Sequence, residues 1–173
     1  MPREIPDRYR WAVDILDVRP DDVILEIGCG YGHSIPLIAP QLSTGHLTLI
    51  DHSETMAKAA AKRVRDETTE IRVSVLYTDL LSNGFPENSF DKIFLFNINV
   101  FWMDPTAEIE EIGRLLKPDG RLYLFHQPPP GHQLDEFVSA FRANLTKYNF
   151  DCKRILKNKS SEVRSICIVA TPS

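Results

Sequence analysis

Apolar runs of four to seven residues alternate along this chain with stretches in which apolar residues recur every three or four positions. The first pattern is that of strands buried on both faces, the second that of helices presenting one face to a sheet. Strands are predicted at Val23–Ile27, His46–Ile50, Ile71–Tyr77, Lys92–Phe96 and Arg121–Phe125. Between them, Ser53 is placed to cap a helix over Glu54–Glu67, with Met56, Ala59, Ala60 and Val64 turned inward. Asp104-Pro105 reads as the cap and first turn of a helix through Leu116, with Ile109, Ile112, Leu115 and Leu116 inward. Lys117-Pro118-Asp119-Gly120 then supplies a turn. Pro128-Pro129-Pro130-Gly131 makes a stiff corner, followed by a helix with Leu134, Phe137, Val138, Phe141, Leu145 and Tyr148 on one face. Only six polar residues, Lys157–Glu162, separate Cys152–Leu156 from Val163–Ala170. That is too short for a crossover helix and predicts an antiparallel hairpin. The expected fold is α/β, Rossmann-like: a mostly parallel twisted sheet, helices on both faces, and a C-terminal antiparallel hairpin.

Within this frame the segment Ile24-Leu25-Glu26-Ile27-Gly28-Cys29-Gly30-Tyr31-Gly32 stands apart. A buried strand ends at an acid and feeds three glycines at alternate positions. Glycine permits φ > 0 and lets a ligand lie against bare backbone. His33 occupies the place of the last glycine in G-x-G-x-x-G, and the Glu26 carboxylate would repel a pyrophosphate while favouring a cationic amine. These residues point to a nucleoside without phosphates that carries an amino-acid tail. Asp51 closes the second strand 21 residues after Gly30, close to the offset of a ribose-binding acid. A capping acid is the alternative for Asp51, and a turn-capping loop acid is the alternative for Asp79. Pro36 is tolerable in the first turn of the helix after the glycines, but with Pro40 it shortens or distorts that helix.

Composition narrows the class. The chain has 173 residues, 43% hydrophobic and 25% charged, which suits one globular domain, residues 1–173, with an N-terminal helix in residues 1–20. Trp11, Ile15 and Val18 are the residues of that helix expected to pack. The formal net charge of −4 gives no footprint for nucleic acid. Basic clusters at Lys58/Lys62/Arg63/Arg65 and Lys153/Arg154/Lys157/Lys159 read as solvated faces. Apolar runs fall short of a membrane span and the N-terminus lacks a signal-peptide core, so a cytoplasmic protein is expected. Cys29, Cys152 and Cys167 form no C-x-x-C pair, so neither a disulfide framework nor a metal site is expected. Small size accounts for Cys29 between two glycines as well as reactivity would.

Four segments together resemble class I S-adenosylmethionine-dependent methyltransferases, the small-molecule branch that includes menaquinone/ubiquinone-type C-methyltransferases. They are Glu26–Gly32, Asp51, Asp79-Leu80, and Leu115-Leu116-Lys117-Pro118-Asp119-Gly120-Arg121-Leu122; Phe85-Pro86-Glu87-Asn88-Ser89-Phe90-Asp91 adds a fifth likeness. The resemblance covers the chain from about Asp21 onward. It implies S-adenosyl-L-methionine as cofactor, held by Glu26, Gly28, Cys29, Gly30, Tyr31, Asp51, His52, Met56, Asp79, Leu80 and Asn97. Asp51 would hold the ribose hydroxyls and Asp79 would face the adenine amine. Asn97-Ile98-Asn99-Val100 lacks the Asn/Asp-Pro-Pro-aromatic signature of nucleobase and glutamine methyltransferases, which favours a small-molecule acceptor.

Catalytic groups are expected at the carboxyl ends of the fourth and fifth strands, where Asn97, Asn99, His126 and Gln127 stand. His126 is the titrating candidate, with a strand-end structural histidine as the alternative. Asn97 is the polar candidate beside it. Tyr31, Phe101 and Trp102 are expected to line an apolar acceptor pocket or to pack in the core, and His33 to lie near the methionine moiety. The acceptor site is expected to be open, covered by the second subunit of a homodimer, or shaped for a small or surface-bound substrate. A methyltransferase-like module that binds the nucleoside without catalysis is the alternative to an enzyme.

Overall fold

The computed structural model describes residues 4–67, 72–97, 105–128, 134–158 and 165–173. It divides into two compact units, Met1–Asp79 and Leu80–Ser173. The first unit contains helix α1 (Asp7–Leu16), strand β1 (Val23–Ile27), the short helix α2 (Ile35–Ile38), β2 (His46–Asp51), α3 (Glu54–Glu67) and β3 (Val73–Tyr77). Its strands lie in the order β3-β2-β1, all parallel, with Val23 opposite His46 and Leu47 opposite Val73. β1 and β2 are buried along nearly their whole length, as in strands covered on two sides, and are apolar apart from His46, Thr48 and the acids Glu26 and Asp51.

Proline chemistry sets the shape of the segment after the glycine turn. Pro36 sits in the first turn of α2, where its missing N–H costs nothing, but Pro40 cannot continue an α-helical ladder. The helix therefore ends after four residues and tightens into a 3-10 turn over Ala39–Gln41. Two inward faces differ from those predicted. In α1 the buried side chains are Tyr9, Ala12, Val13 and Leu16, while Trp11, Ile15 and Val18 are only half-buried. In α3 they are Ala57, Ala60 and Arg63, whereas Met56, Ala59 and Val64 are only half-covered. The helix is rotated so that its smallest residues face inward, which lets it approach closely, and one basic residue is carried in with them.

The second unit contains β4 (Phe90–Phe96), α4 (Thr106–Leu115), β5 (Leu116–His126), α5 (Leu134–Lys147), β6 (Phe150–Asn158) and β7 (Ser165–Pro172). Its order is β4-β5-β7-β6; β4 and β5 are parallel, and β7 runs antiparallel to both β5 and β6. The terminal hairpin is thus present; β6 is longer than predicted, and β7 runs two residues further toward the C-terminus than Val163–Ala170. Lys117–Gly120 is not a separate turn but an irregularity inside β5. The pairing jumps from Phe90 opposite Leu116 to Lys92 opposite Arg121. A Cβ on Gly120 would lie 2.9 Å from the Lys117 carbonyl oxygen, so the chain curls too tightly for any other residue. Lys117 Nζ donates to both Asp91 carboxylate oxygens at 2.8 and 2.9 Å, clasping the bulge to the facing strand. The α4 face is as predicted, with Ile109, Ile112 and Leu115 buried, although the helix starts at Thr106 and Asp104 lies outside the described residues.

Helix α5 buries Phe137, Phe141 and Leu145, and receives the end of β5 on that face. The His126 ring stands 4.5 Å from the Phe137 ring and 5.8 Å from Phe141, centroid to centroid. Burial disfavours the imidazolium and holds its pKa down to about 4, below the ordinary 6.5. The unfolded chain then takes up a proton that the folded chain does not as pH falls from about 6.5 to 4. Stability is accordingly expected to decline through that window. Urea midpoints measured at pH 7 and pH 5 check this, and His126→Leu is expected to shrink the difference between them.

Candidate cofactor site

Nine of the eleven predicted cofactor residues belong to the first unit, most of them at the carboxyl ends of β1 and β2, while Leu80 and Asn97 belong to the second. Gly28 N and Cys29 N both donate to the Ile50 carbonyl, at 2.9 and 3.1 Å, so the turn leaving β1 is bonded to the last residues of β2. Gly30 N continues the series by donating to Asp51 Oδ2 at 2.8 Å, and Ser53 N donates to Asp51 Oδ1 at 2.8 Å. Asp51 is therefore 5% exposed and anchors two loops at once. Its bond to Ser53 N closes a turn ahead of α3 and is not a helix cap. Each carboxylate oxygen has a further lone pair, so these two contacts do not exhaust its acceptor capacity. Thr78 N donates to the Asp51 carbonyl at 3.1 Å, which brings the start of the Asp79 loop to the same end of the strands. Asp79 and His52 are exposed, and Ser53 caps α3 by accepting from Met56 N at 3.4 Å.

Two glycines of the turn have different duties. Gly30 has φ +53°, and a Cβ built there would meet nothing within 4 Å. The backbone at Gly30 thus faces open space on the side next to Asp51's bond. Gly32 has φ +66°, but a Cβ there would come within 2.5 Å of Ile35 Cδ1 and 3.2 Å of Ala60 Cβ. One glycine leaves room for a ligand, and the other lets α3 pack against the turn.

Glu26 is 1% exposed and accepts a hydrogen bond from Ser34 Oγ. Burial raises its pKa to about 8, with the Asp51 charge adding to the rise and the Ser34 bond opposing it. The charge expected at this position is therefore suppressed near neutral pH. The partner was not legible because Ser34 lies eight residues away, on the far side of the turn. Tyr9 of α1 is buried nearby in the same electrostatic environment; burial first and Glu26 second push its phenol up to about 12. Burial likewise pushes the Cys29 thiol well above its ordinary value, so Cys29 fills space and is not a nucleophile in this state. Tyr31, 39% exposed, and His33 complete the turn, with their rings 6.2 Å apart.

In the second unit, Asn97 ends β4 at φ +51°, a conformation asparagine tolerates, and its Oδ1 accepts from Gln127 N at 2.7 Å. Asn97 and Gln127 are thereby brought together at one end of the β4–β5 pair. His126 is not at this surface; it is 6% exposed and its ring is packed on α5. Leu80 is buried in a 3-10 turn. Asn99, Phe101 and Trp102 lie outside the described residues. Among the described residues no cluster of histidine, cysteine, aspartate and glutamate could hold a metal ion.

Residues 24–120 match the methyltransferase domain family. An uncharacterised methyltransferase of Bacillus subtilis is 31% identical over 132 residues, 76% of this chain and 71% of that protein. The chain belongs to the class I S-adenosylmethionine-dependent methyltransferases. A ubiquinone/menaquinone biosynthesis C-methyltransferase of Hydrogenovibrio crunogenus is 31% identical over 65% of this chain. The nocamycin O-methyltransferase of Saccharothrix syringae is 32% identical over 70% of it. The matches span only 45% and 43% of those two proteins. A solved S-adenosylmethionine-dependent methyltransferase from Aquifex aeolicus superposes with a TM-score of 0.79 at 20% identity, covering 95% of this chain and 89% of that one. The expected Rossmann-like methyltransferase fold is therefore the observed one. S-adenosylmethionine is the cofactor of this methyltransferase, and the open side of Gly30 beside an acid with acceptor capacity left fits a ribose-bearing ligand.

The pair of glycines separates binding from packing. Gly30→Ala and Gly32→Ala share the strain of a left-handed alanine, about 1–2 kcal/mol. Gly32→Ala is expected to lower the melting temperature further through its clashes, and Gly30→Ala to weaken S-adenosylhomocysteine binding out of proportion to its stability loss. Thermal melts and calorimetry on both variants check this. For Glu26 the sign is opposite to His126: its folded-state pKa of about 8 exceeds the ordinary 4.5, so the folded protein holds a proton that the unfolded chain releases. Its stability contribution is full below pH 4.5 and is lost as pH rises through 8. Glu26→Gln is expected to flatten the decline in denaturation midpoint between pH 5 and pH 8.5.

Proposed function

We propose that this chain catalyses in-line transfer of the methyl group of S-adenosylmethionine to a small-molecule acceptor. The observation that carries the reading is the Asp51 carboxylate. It is buried, fixed by the Gly30 and Ser53 amides, and set beside the open flank of Gly30. A ribose diol presents two O–H donors, and a carboxylate with lone pairs left over is their natural partner. Gly28 and Gly30 keep the turn backbone bare for the rest of the cofactor. Tyr31 and His33 border the amino-acid tail, with Glu26 behind them. Asp79 faces the adenine amine, with His52, Met56 and Leu80 around the nucleoside.

The cofactor supplies an electrophilic sulfonium methyl, so what remains for the protein is alignment and exclusion of water. Asn97, locked by Gln127 N, is assigned to orient the acceptor. In this scheme His126 supports the strand end, since a neutral ring held against Phe137 and Phe141 is in the setting of a core histidine. The small-molecule acceptor is supported by the absence of the Pro-Pro-aromatic signature after Asn97 and by the names of the relatives. No helix among the described residues is long and apolar enough to cross a membrane.

Calorimetry is expected to show binding of S-adenosylmethionine and S-adenosylhomocysteine and none of NAD; micromolar NAD affinity without S-adenosylhomocysteine affinity would overturn the assignment. Asp51→Ala is expected to weaken S-adenosylhomocysteine by about 1.5–3 kcal/mol, the range for hydrogen bonds to a charged group. An unchanged dissociation constant in the folded variant would reduce Asp51 to a structural acid. Labelled S-adenosylmethionine incubated with a metabolite extract is expected to yield a labelled small product, and His126→Ala is expected to lower the melting temperature rather than turnover per folded molecule.

A further inference from the structure

Arg63 is a basic residue on the inward stripe of α3, 8% exposed, and its place there follows the spacing Ala57, Ala60, Arg63. Its Nε donates to Glu67 Oε1 at 3.0 Å, which balances its charge within the helix. Its Nη1 lies 2.8 Å from Nδ1 of His33, on the cofactor turn. Ala60, one helical turn earlier, is the residue against which Gly32 packs, so α3 and the turn meet at two successive levels. On its other side the His33 ring is 5.1 Å from the Tyr9 ring of α1 and 6.2 Å from that of Tyr31.

A guanidinium has five N–H donors and no acceptor. In the Arg63–His33 contact the imidazole Nδ1 must therefore be the acceptor, and a neutral ring then carries its proton on Nε2. We propose that Arg63 is a positioning residue of the methyl-transfer site, fixing His33 as the Nε2–H tautomer so that His33 serves the site as a hydrogen-bond donor and not as a base. The group His33 recognises is accordingly an oxygen with a free lone pair, such as a carboxylate or carbonyl, and an N–H donor is disfavoured there. The Tyr9 and Tyr31 rings limit rotation of the imidazole, and the arginine fixes which nitrogen carries the proton. The proposal rests on the cofactor reading of the glycine turn.

The test uses the intact protein at pH 8, with long-range 1H–15N NMR of the histidine rings and calorimetry with S-adenosylhomocysteine. In the wild type, His33 is expected to show an unprotonated Nδ1 and a protonated Nε2. Arg63→Lys keeps a cationic donor and is expected to preserve both the tautomer and an affinity within about threefold. Arg63→Met keeps length without a donor; a mixed tautomer and a loss of about tenfold or more are expected, the scale of one charge-assisted hydrogen bond. Glu67→Gln, which alters a different partner of Arg63, is expected to leave the tautomer in place. A wild-type His33 protonated on Nδ1 overturns the proposal whatever the variants do. So does an Arg63→Met protein with wild-type tautomer and affinity, or an Arg63→Lys protein that keeps the tautomer and loses binding. A wild type with the expected tautomer that binds no S-adenosylhomocysteine overturns the cofactor reading instead, and with it the role in methyl transfer while the Arg63–His33 contact stands.

Discussion

The cofactor site hangs on a run of backbone amides that leave β1 and find acceptors at the end of β2. Gly28 N and Cys29 N take the Ile50 carbonyl and Gly30 N takes Asp51. Buried amides need partners, and a turn at the mouth of a parallel sheet has no ladder to supply them. Using the neighbouring strand end as acceptor fixes the loop without side chains of its own, which is what allows glycine there. The same bonds place Asp51 beside the turn, so the residue that shapes the site is also a residue that can bind in it. Removing Asp51 would deprive two loop amides of their acceptor, and this is why affinity and stability have to be measured together on its variants.

Around this turn the fold tolerates groups that a pure packing solution would not contain. Glu26 is buried with a raised pKa, Tyr9 is desolvated beside it, and Arg63 is drawn into the inward face of a helix. Each costs desolvation free energy, and neighbours compensate it: Ser34 for Glu26, a hydrogen bond with Arg8 for Tyr9, and Glu67 and His33 for Arg63. The electrostatic character of Glu26 differs from what its residue type suggests. A carboxyl group that is largely protonated near neutral pH does not repel a phosphate as an ionised one would. The charge at Glu26 is therefore a weaker barrier to a phosphate than its residue type suggests.

Strand positions were legible because burial on both faces leaves continuous apolar runs, and β1 has the bounds read from Val23–Ile27. The chemistry of the turn was legible for a related reason: alternate glycines are rare without a backbone need for them. Helix faces were less so. In α3 the choice between Met56/Val64 and Ala57/Ala60 depends on how closely the helix approaches, and that is set by Gly32, which the helix's own sequence does not contain. The run Lys117–Gly120 carries turn chemistry, yet the structure uses it as a bulge within β5, because the Asp91–Lys117 clasp lets the strand resume pairing beyond it. Arg63 was hidden in a set of basic residues whose other members are exposed. Only its three-residue offset from Ala60 distinguished it.

The contrast between His126 at a strand end and His33 in the glycine turn shows how environment assigns roles that residue type leaves open. His126 follows a run of buried strand residues and is received by the rings of Phe137 and Phe141, a setting that keeps it neutral by excluding water. His33 is in a turn, half-exposed, and held by a guanidinium that dictates which nitrogen accepts. Burial decides the charge of the first; a donor decides the tautomer of the second. Neither arrangement makes a good general base, because one resists protonation and the other has its basic nitrogen occupied. A sulfonium methyl does not require one when the acceptor is already nucleophilic.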